Sequence, residues 1–191
     1  DVLIKYGYLE KDGATSVHKP QYTPAPSGAG PVSKTDCPEG DPTRNPLGKL
    51  YRELCGSLRW IEQCTRPDLS ASLAELCKVQ SNPGEVHMKR LQHMMMFLCT
   101  TRSAGILYGK ARDESMPDGP LIIYTDSDWA GDVDTRETRG GFVATAWQAP
   151  ISWSSFKIKA VAASSCESEY MAAFHAVRES KWLRALFSDL G

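Results

Sequence analysis

The chain has 191 residues, 22 of them basic and 23 acidic, and a formal net charge of −1. That length allows one full domain, or a small domain joined to part of another, and an apolar content of 41% argues against a disordered chain. There is no run of roughly 18 apolar residues, hence no membrane span, and the first residues lack a charged-then-apolar signal pattern.

Residues 1–45 are rich in Pro, Gly, Thr and Ser after a short opening segment. The stretch 22–30 (YTPAPSGAG) cannot hold a helix, because Pro24 and Pro26 remove donors and restrict their neighbours, so it reads as an extended, partly mobile connector. Three helices are expected over 46–118. In the first, Leu50, Leu54, Leu58 and Ile61 draw one apolar stripe that stops at Thr65-Arg66-Pro67. Pro67-Asp68 suits the first turn of the second, where Leu69, Leu73, Leu76 and Val79 make another stripe before the Asn82-Pro83-Gly84 break. The third runs from about Glu85 to Thr101 with Met88, Leu91, Met95 and Leu98 on one face. Its run Met94-Met95-Met96-Phe97 reads as flexible core filler.

The period then changes. Gly105-Ile106-Leu107-Tyr108 is strand-like, and 121–125 (LIIYT) is a stronger β-type run. Two more strands are expected at Gly141 to Trp147 and Ile151 to Ser154, divided by Gln148-Ala149-Pro150. A long helix from Ser164 to Leu190 follows, with Ser164 or Ser165 as cap candidate. Tyr170, Ala173, Phe174, Val177 and Trp182 are its expected packing residues. The fold class is α+β: a small three-helix subdomain, then a three-stranded antiparallel meander with one long helix over 119–191.

Six cysteines, at 37, 55, 64, 77, 99 and 166, show no two-residue spacing of the kind metal ribbons and redox motifs use. They read as reduced thiols of an intracellular, cytoplasmic chain, with the nucleus also compatible. The four histidines are equally scattered, which argues against zinc. Up to residue 118 the chain holds 15 basic and 14 acidic residues, and beyond it 7 and 9. Neither half has the basic excess of a general polyanion binder, and the acidic second half suits a carboxylate metal site better.

The informative segment is 124–137, YTDSDWAGDVDTRE. A buried strand delivers Asp126 at its end, and Asp128 shares its face if the strand continues. Such carboxylates hold hard divalent cations, and several together hold a pair. One reading is a calcium loop over 126–137. Acidic residues fall at loop positions 1, 3, 7, 9 and 12, with Gly131 at position 6. Against it, position 5 is Ala130, which offers no side-chain ligand, and the flanks read as strands rather than helices. The other reading pairs Asp126 with Glu169, early on the last helix, as two-metal nucleases pair a strand carboxylate with a helix carboxylate.

Longer motifs then carry a resemblance. The segments 124–143 (YTDSDWAGDVDTRETRGGFV), 151–155 (ISWSS), 164–173 (SSCESEYMAA) and Trp182-Leu183-Arg184 resemble the ribonuclease H region of copia-type retrotransposon Pol polyproteins. Upstream, 51–76 (YRELCGSLRWIEQCTRPDLSASLAEL) and 81–87 (SNPGEVH) resemble the region after the polymerase palm of the same family, and 22–26 (YTPAP) its Pro-rich connector. The resemblance implies a ribonuclease H-like fold in which Asp126 and Glu169 are catalytic carboxylates and ligands of Mg²⁺, or Mn²⁺ in its place. Asp128 is a further ligand candidate, while Asp132 and Asp134 match commonly occupied positions without a catalytic role. Intact members cleave the RNA strand of an RNA–DNA hybrid with two metal ions.

Departures from the family pattern set further expectations. The family's third catalytic aspartate falls on a strand after the long helix, beyond Gly191, and the polymerase aspartates fall before Asp1. The chain therefore reads as a fragment, inactive alone and holding no metal tightly. Cys166 stands where Thr is usual and Phe156 where Lys is usual. Gln92, His93, Met96 and Cys99 stand where the family often has Lys or Arg, so nucleic-acid binding should be weak or absent. A sheet cut after three strands exposes an edge, which favours self-association. A non-catalytic module that binds protein or single-stranded nucleic acid is the alternative.

Overall fold

The computed structural model describes residues 2–13, 16, 18–108 and 121–190. The chain divides into two units, Asp1–Gly105 and Ile106–Gly191; the boundary expected at 118 and 119 lies outside the described residues. The architecture is α+β, as predicted, with a helical first unit and a second unit consistent with a partial ribonuclease H-like fold. Among the described residues no helix is long and apolar enough to cross a membrane.

In the first unit, α1 (Val2–Lys5) is short, and α2 (Pro46–Thr65), α3 (Ser70–Cys77) and α4 (Glu85–Thr100) build the core. Asn45 caps α2 by accepting the Leu47 N–H at 2.9 Å, with Pro46 pre-set for the first turn. The Asn45 amide also donates to the Asn82 side chain (2.7 Å) and the Pro83 carbonyl (2.9 Å), tying the start of α2 to the break before α4. The α2 stripe differs from its prediction. Leu50 is 42% exposed, and Tyr51, Leu54, Cys55 and Leu58 face inward. Tyr51 can take the inner position because its hydroxyl donates to the Leu76 carbonyl at 2.9 Å, so no polar atom is stranded by its burial. The other two stripes are as predicted: Leu69, Leu73, Leu76 and Val79 are buried, as are Met88, Leu91, Met95 and Leu98. Met94 and Phe97 are buried with them, in keeping with core filler.

The turn between α2 and α3 is held by a buried cation. Arg66 donates to both oxygens of Asp68 (2.9 and 2.7 Å) and to the Thr101 carbonyl and hydroxyl (3.1 and 2.8 Å), and it lies 5.2 Å from the Phe97 ring centroid. One guanidinium thus joins the end of α2 to the end of α4.

The stretch read as a connector is extended, and it is anchored at several points. Leu3, Tyr8, Leu9 and Val32 are buried in the helical core. Side chains of α4 fasten the rest: His87 Nδ1 accepts the Gly84 N–H at 3.0 Å, leaving Nε2 to donate to the Ser33 carbonyl at 2.9 Å. Arg90 donates to the Gly30 carbonyl (2.6 Å), His93 Nε2 to the Thr23 carbonyl (2.9 Å), and Thr100 accepts the Gln21 N–H (3.0 Å).

In the second unit, β1 (Ile122–Asp128), β2 (Thr138–Ala146) and β3 (Ala149–Ile158) form an antiparallel sheet in that order, and α5 (Ser165–Leu190) packs on it. The β2–β3 hairpin is tighter than predicted. Its two-residue turn is Trp147-Gln148, both in the left-handed region (φ 47° and 70°), and Ala149 and Pro150 already belong to β3. A register shift at Ala144/Thr145 leaves Ile151 unmatched. The expected strand at Gly105 to Tyr108 does not form, although Tyr108 donates to the Pro150 carbonyl at 3.0 Å. Strand preference describes fit to a paired, half-buried surface, and this segment has no pairing partner among the described residues.

The face of α5 also corrects the prediction. Tyr170, Phe174, Val177 and Trp182 are exposed (52–74%), while Ser168, Ala172, Ala176 and Leu183 face the sheet. The sheet supplies the bulk: Phe156 lies 4.4 Å from His175, ring to ring, and Phe142 packs 6.3 Å from Phe156. Gly140, directly opposite Phe156, gives that ring its room, since a Cβ there would sit 2.9 Å from it. A helix that approaches such a surface closely does so with small residues, and apolar periodicity alone chooses the wrong face.

Candidate functional site

The strand register decides which way the β1 side chains point. Ile123, Thr125 and Ser127 pair with Ala144, Phe142 and Gly140, on the face that α5 covers. Ile122, Tyr124, Asp126 and Asp128 therefore lie on the other face, so the two aspartates do share a side, as the strand period predicts. Both are exposed.

Between them, Ser127 reaches α5. Its Oγ lies 2.8 Å from Oγ of Ser168, which is fully buried. Ser168 donates its one hydroxyl hydrogen to the Ser165 carbonyl at 2.7 Å, so Ser127 is the donor of the pair. This bond fixes the first turns of α5 against the end of β1. Asp126 precedes Ser127 and Glu169 follows Ser168, so both predicted carboxylate positions flank this contact, Asp126 on the sheet face away from α5 and Glu169 on α5 itself. Glu169 is exposed on the shoulder of the α5 packing stripe. Among the described residues neither carboxylate has a hydrogen-bond or ion-pair partner, and no group of three or more His, Cys, Asp or Glu is placed to hold a metal ion. The donor type suits Mg²⁺, which prefers oxygen, but two carboxylates supply only part of its shell.

The remaining acidic residues have structural work. Glu167 accepts the Ala163 N–H at 2.6 Å while Ser164 accepts the Glu167 N–H at 3.2 Å, which makes Ser164 the cap of α5. Asp132 accepts the N–H groups of Asp134 and Thr135, both at 3.0 Å, folding the 129–137 loop on itself. Glu137 pairs with Lys157 and accepts the Thr135 hydroxyl at 2.8 Å, and the Lys157 contact first, then Thr135, lowers its pKa. Asp128 rests against Gly131, where a Cβ would collide with its carboxylate. The 126–137 segment thus runs from one strand to the next with Asp128, Asp132 and Glu137 engaged in the turn between them, an arrangement unlike a helix-flanked calcium loop.

Two residues of this arrangement escaped the sequence reading. Ser127 and Ser168 each sit between two acidic residues, in Asp-Ser-Asp and Glu-Ser-Glu, and that shared pattern was the available signal. Trp129 was also missed; its indole N–H donates to the Ala162 carbonyl at 3.0 Å and secures the loop before α5. In the first unit, of the four positions that lack the family's basic residues, Gln92 is exposed and the other three are covered or engaged. Cys99 is buried with its Sγ 3.8 Å from the Tyr8 carbonyl, Met96 is half-buried, and His93 is spent on Thr23.

Against known proteins the chain is 33% identical over 174 residues to the retrovirus-related Pol polyprotein from transposon TNT 1-94 of Nicotiana tabacum, covering 91% of this chain and 13% of that protein. It is 36% identical over 141 residues to the Pol polyprotein from transposon RE1 of Arabidopsis thaliana, covering 74% of this chain and 9% of that one. It belongs to the copia-type retrotransposon Pol polyproteins. The chain spans about a tenth of the length of these relatives. A third similarity has different proportions: the secreted RxLR effector protein 161 of Plasmopara viticola is 34% identical over 133 residues, which is 70% of this chain and 90% of that protein. No family model and no solved structure matches the chain.

Proposed function

We propose that this Pol segment carries the first half of a two-metal ribonuclease H site, with Asp126 and Glu169 as ligands of Mg²⁺ or Mn²⁺, and that it does not hydrolyse an RNA–DNA hybrid as a 191-residue chain. The observation that carries the reading is the Ser127–Ser168 hydrogen bond, which both carboxylate positions flank. When bound, the metal pair would prepare the attacking water and stabilise the leaving oxygen. The chain's own part is to present Asp126 from a rigid strand and Glu169 from a helix pinned to that strand, both open to solvent and to a phosphodiester. Asp128, on the Asp126 face but resting on Gly131, is a secondary ligand.

Two measurements test this. Mn²⁺ should broaden the amide resonances around Asp126 and Glu169 together, and Asp126→Asn should abolish the effect. Broadening confined to Asp132 and Asp134 would overturn the assignment. Incubation with an RNA–DNA hybrid and Mg²⁺ should release no product. Cleavage that disappears in Asp126→Asn would show that the chain is active and that the half-site reading is wrong.

A second reading rests on the match that spans 90% of the effector's length. A stretch of this size can make up nearly a whole protein, which suits a non-catalytic module that binds protein or single-stranded nucleic acid. With near-neutral charge, protein is the favoured partner. A steep salt dependence of binding would instead point to phosphate contacts.

A further inference from the structure

Within the helical unit, Tyr51 of α2 reaches across to α3 and donates to the Leu76 carbonyl at 2.9 Å. Cys55 lies one turn further along α2, on the same inward face, and is 2% exposed. Cys77 follows Leu76 at the end of α3, where it is half-buried and packs against the same core. The two thiols thus flank the Tyr51–Leu76 contact, one on each helix, and they are hydrogen-bonded to each other. That bond, and then burial, push the Cys55 thiol up, so Cys55 keeps its proton and the Cys77 sulfur accepts. Cys37 also lies near Tyr51, yet among the described residues no group of three ligands is placed to hold a metal ion. What the packing of α2 on α3 assembles here is a dithiol.

We propose that Cys55 and Cys77 are an oxidation site, joined by a reversible disulfide between α2 and α3 when the chain meets hydrogen peroxide, with Cys77 the first sulfur to react. Access sets the order, since Cys77 is half-buried and Cys55 is covered. The Cys77 thiolate attacks one peroxide oxygen: an S–O bond forms, the O–O bond breaks, and the departing hydroxide takes up the thiol proton as water. The Cys55 sulfur then attacks the sulfenic sulfur of Cys77. An S–S bond forms, the S–O bond breaks, and the second hydroxide leaves with the Cys55 proton as water. The two thiols give up two electrons, and one peroxide becomes two waters. Because Cys55 is already in hydrogen-bond contact, the sulfenic acid is resolved within the fold before it can be oxidised further. The raised Cys55 thiol acts in the same direction, since a protonated, covered sulfur is spared by the peroxide until Cys77 has reacted. The bridge closes the segment 55–77, which contains the Arg66 turn, and so locks the two helices that the turn joins.

The test is a disulfide map of the full chain carrying Cys64→Ser and Cys166→Ser, which removes the two exposed thiols. Hydrogen peroxide, then catalase and alkylation in denaturant, should give one dominant bridged peptide pair containing Cys55 and Cys77, with Cys37 and Cys99 alkylated. Dithiothreitol should return both thiols. In the bridged form, amide exchange across 55–77 should slow by about tenfold or more. Adding Cys37→Ser should leave the bridge intact, and adding Cys55→Ala should leave Cys77 as a sulfenic acid that dimedone traps. In concentrated urea the preference should vanish, because 37–55, 55–77 and 77–99 are segments of similar length and close with similar ease. Recovery of both Cys55 and Cys77 as thiols overturns the proposal, as does a dominant bridge to Cys37. So does a Cys55–Cys77 bridge no more abundant in the folded chain than in urea, or Cys77 carried to sulfinic acid while Cys55 is still alkylated.

Discussion

Replacing Ser168 with alanine removes the acceptor that fastens Ser127, and thus the end of β1, to α5. The hydroxyl is fully buried and makes two hydrogen bonds, at 2.8 Å to Ser127 and 2.7 Å to the Ser165 carbonyl. Ser127 is half-exposed and recovers a water partner, and the Ser165 carbonyl retains its helical N–H, so the loss is that of roughly one net hydrogen bond, about 1 kcal/mol. Ser127→Ala is the more damaging change, because it leaves a fully buried oxygen without its donor, at about 1–2 kcal/mol. In the double variant neither partner is stranded. The combined loss should therefore fall short of the sum of the two by about 1 kcal/mol. The chain has two units, so a single unfolding transition would mix them. Native-state hydrogen exchange of peptides from β1 and the first turns of α5 reads the local free energy directly. Additive losses, or single variants that both leave local protection unchanged, would refute the argument that this bond sets the placement of Asp126 and Glu169.

Other regions give equally direct expectations. Trp147 and Gln148 occupy left-handed conformations that suit Asn and Gly, so the double change to Asn-Gly should stabilise the hairpin by about 1 kcal/mol, seen as slower exchange in β2 and β3; destabilisation would mean that the 5.7 Å Trp147–Phe187 ring contact outweighs the relief. Arg66→Met strands Asp68 and Thr101 and should cost the first unit about 2–3 kcal/mol in urea unfolding, with Arg66→Lys recovering only part because it lacks the fork. A loss below about 1 kcal/mol would show that the guanidinium is not a staple. Burial pushes the Tyr8 phenol up to about 12, and desolvation also raises Tyr51 and Cys99. A raised folded pKa gives stability that is complete below the unfolded value and lost as pH climbs through the folded one. The first unit should therefore weaken from about pH 8.5 for the thiol and about pH 10 for the phenols, continuing to about pH 12 for Tyr8, and Tyr8→Phe should flatten the upper part of the profile. An unchanged profile in Tyr8→Phe would refute Tyr8's share.

The apolar stripes of α3 and α4 were legible as sequence because each helix packs apolar side chains inward at its own period, and Pro67 and Asn82-Pro83-Gly84 set their limits chemically. The meander was legible through its β-type runs, and Asp126 and Glu169 stood out because the motifs around them are long. The packing face of α5 was not legible. Tyr170, Phe174, Val177 and Trp182 are the apolar choice, yet Ser168, Ala172 and Ala176 are buried, because Phe142 and Phe156 already fill the layer below. In α2, Tyr51 displaced Leu50 through a hydroxyl partner on α3 that no local pattern contains.

The sequence by itself determined the helices, their caps and their stops, and which carboxylates are candidates, since propensity, caps and motif spacing are local; the strand-like segment 105–108 finds no partner among the described residues, and pairing set the limits of the β2–β3 hairpin. Tertiary structure alone decided which side of each element meets another, and so which acidic residues shape a hairpin and which remain open beside the Ser127–Ser168 contact. Facing is set by the volume and hydrogen-bonding groups of residues tens of positions away.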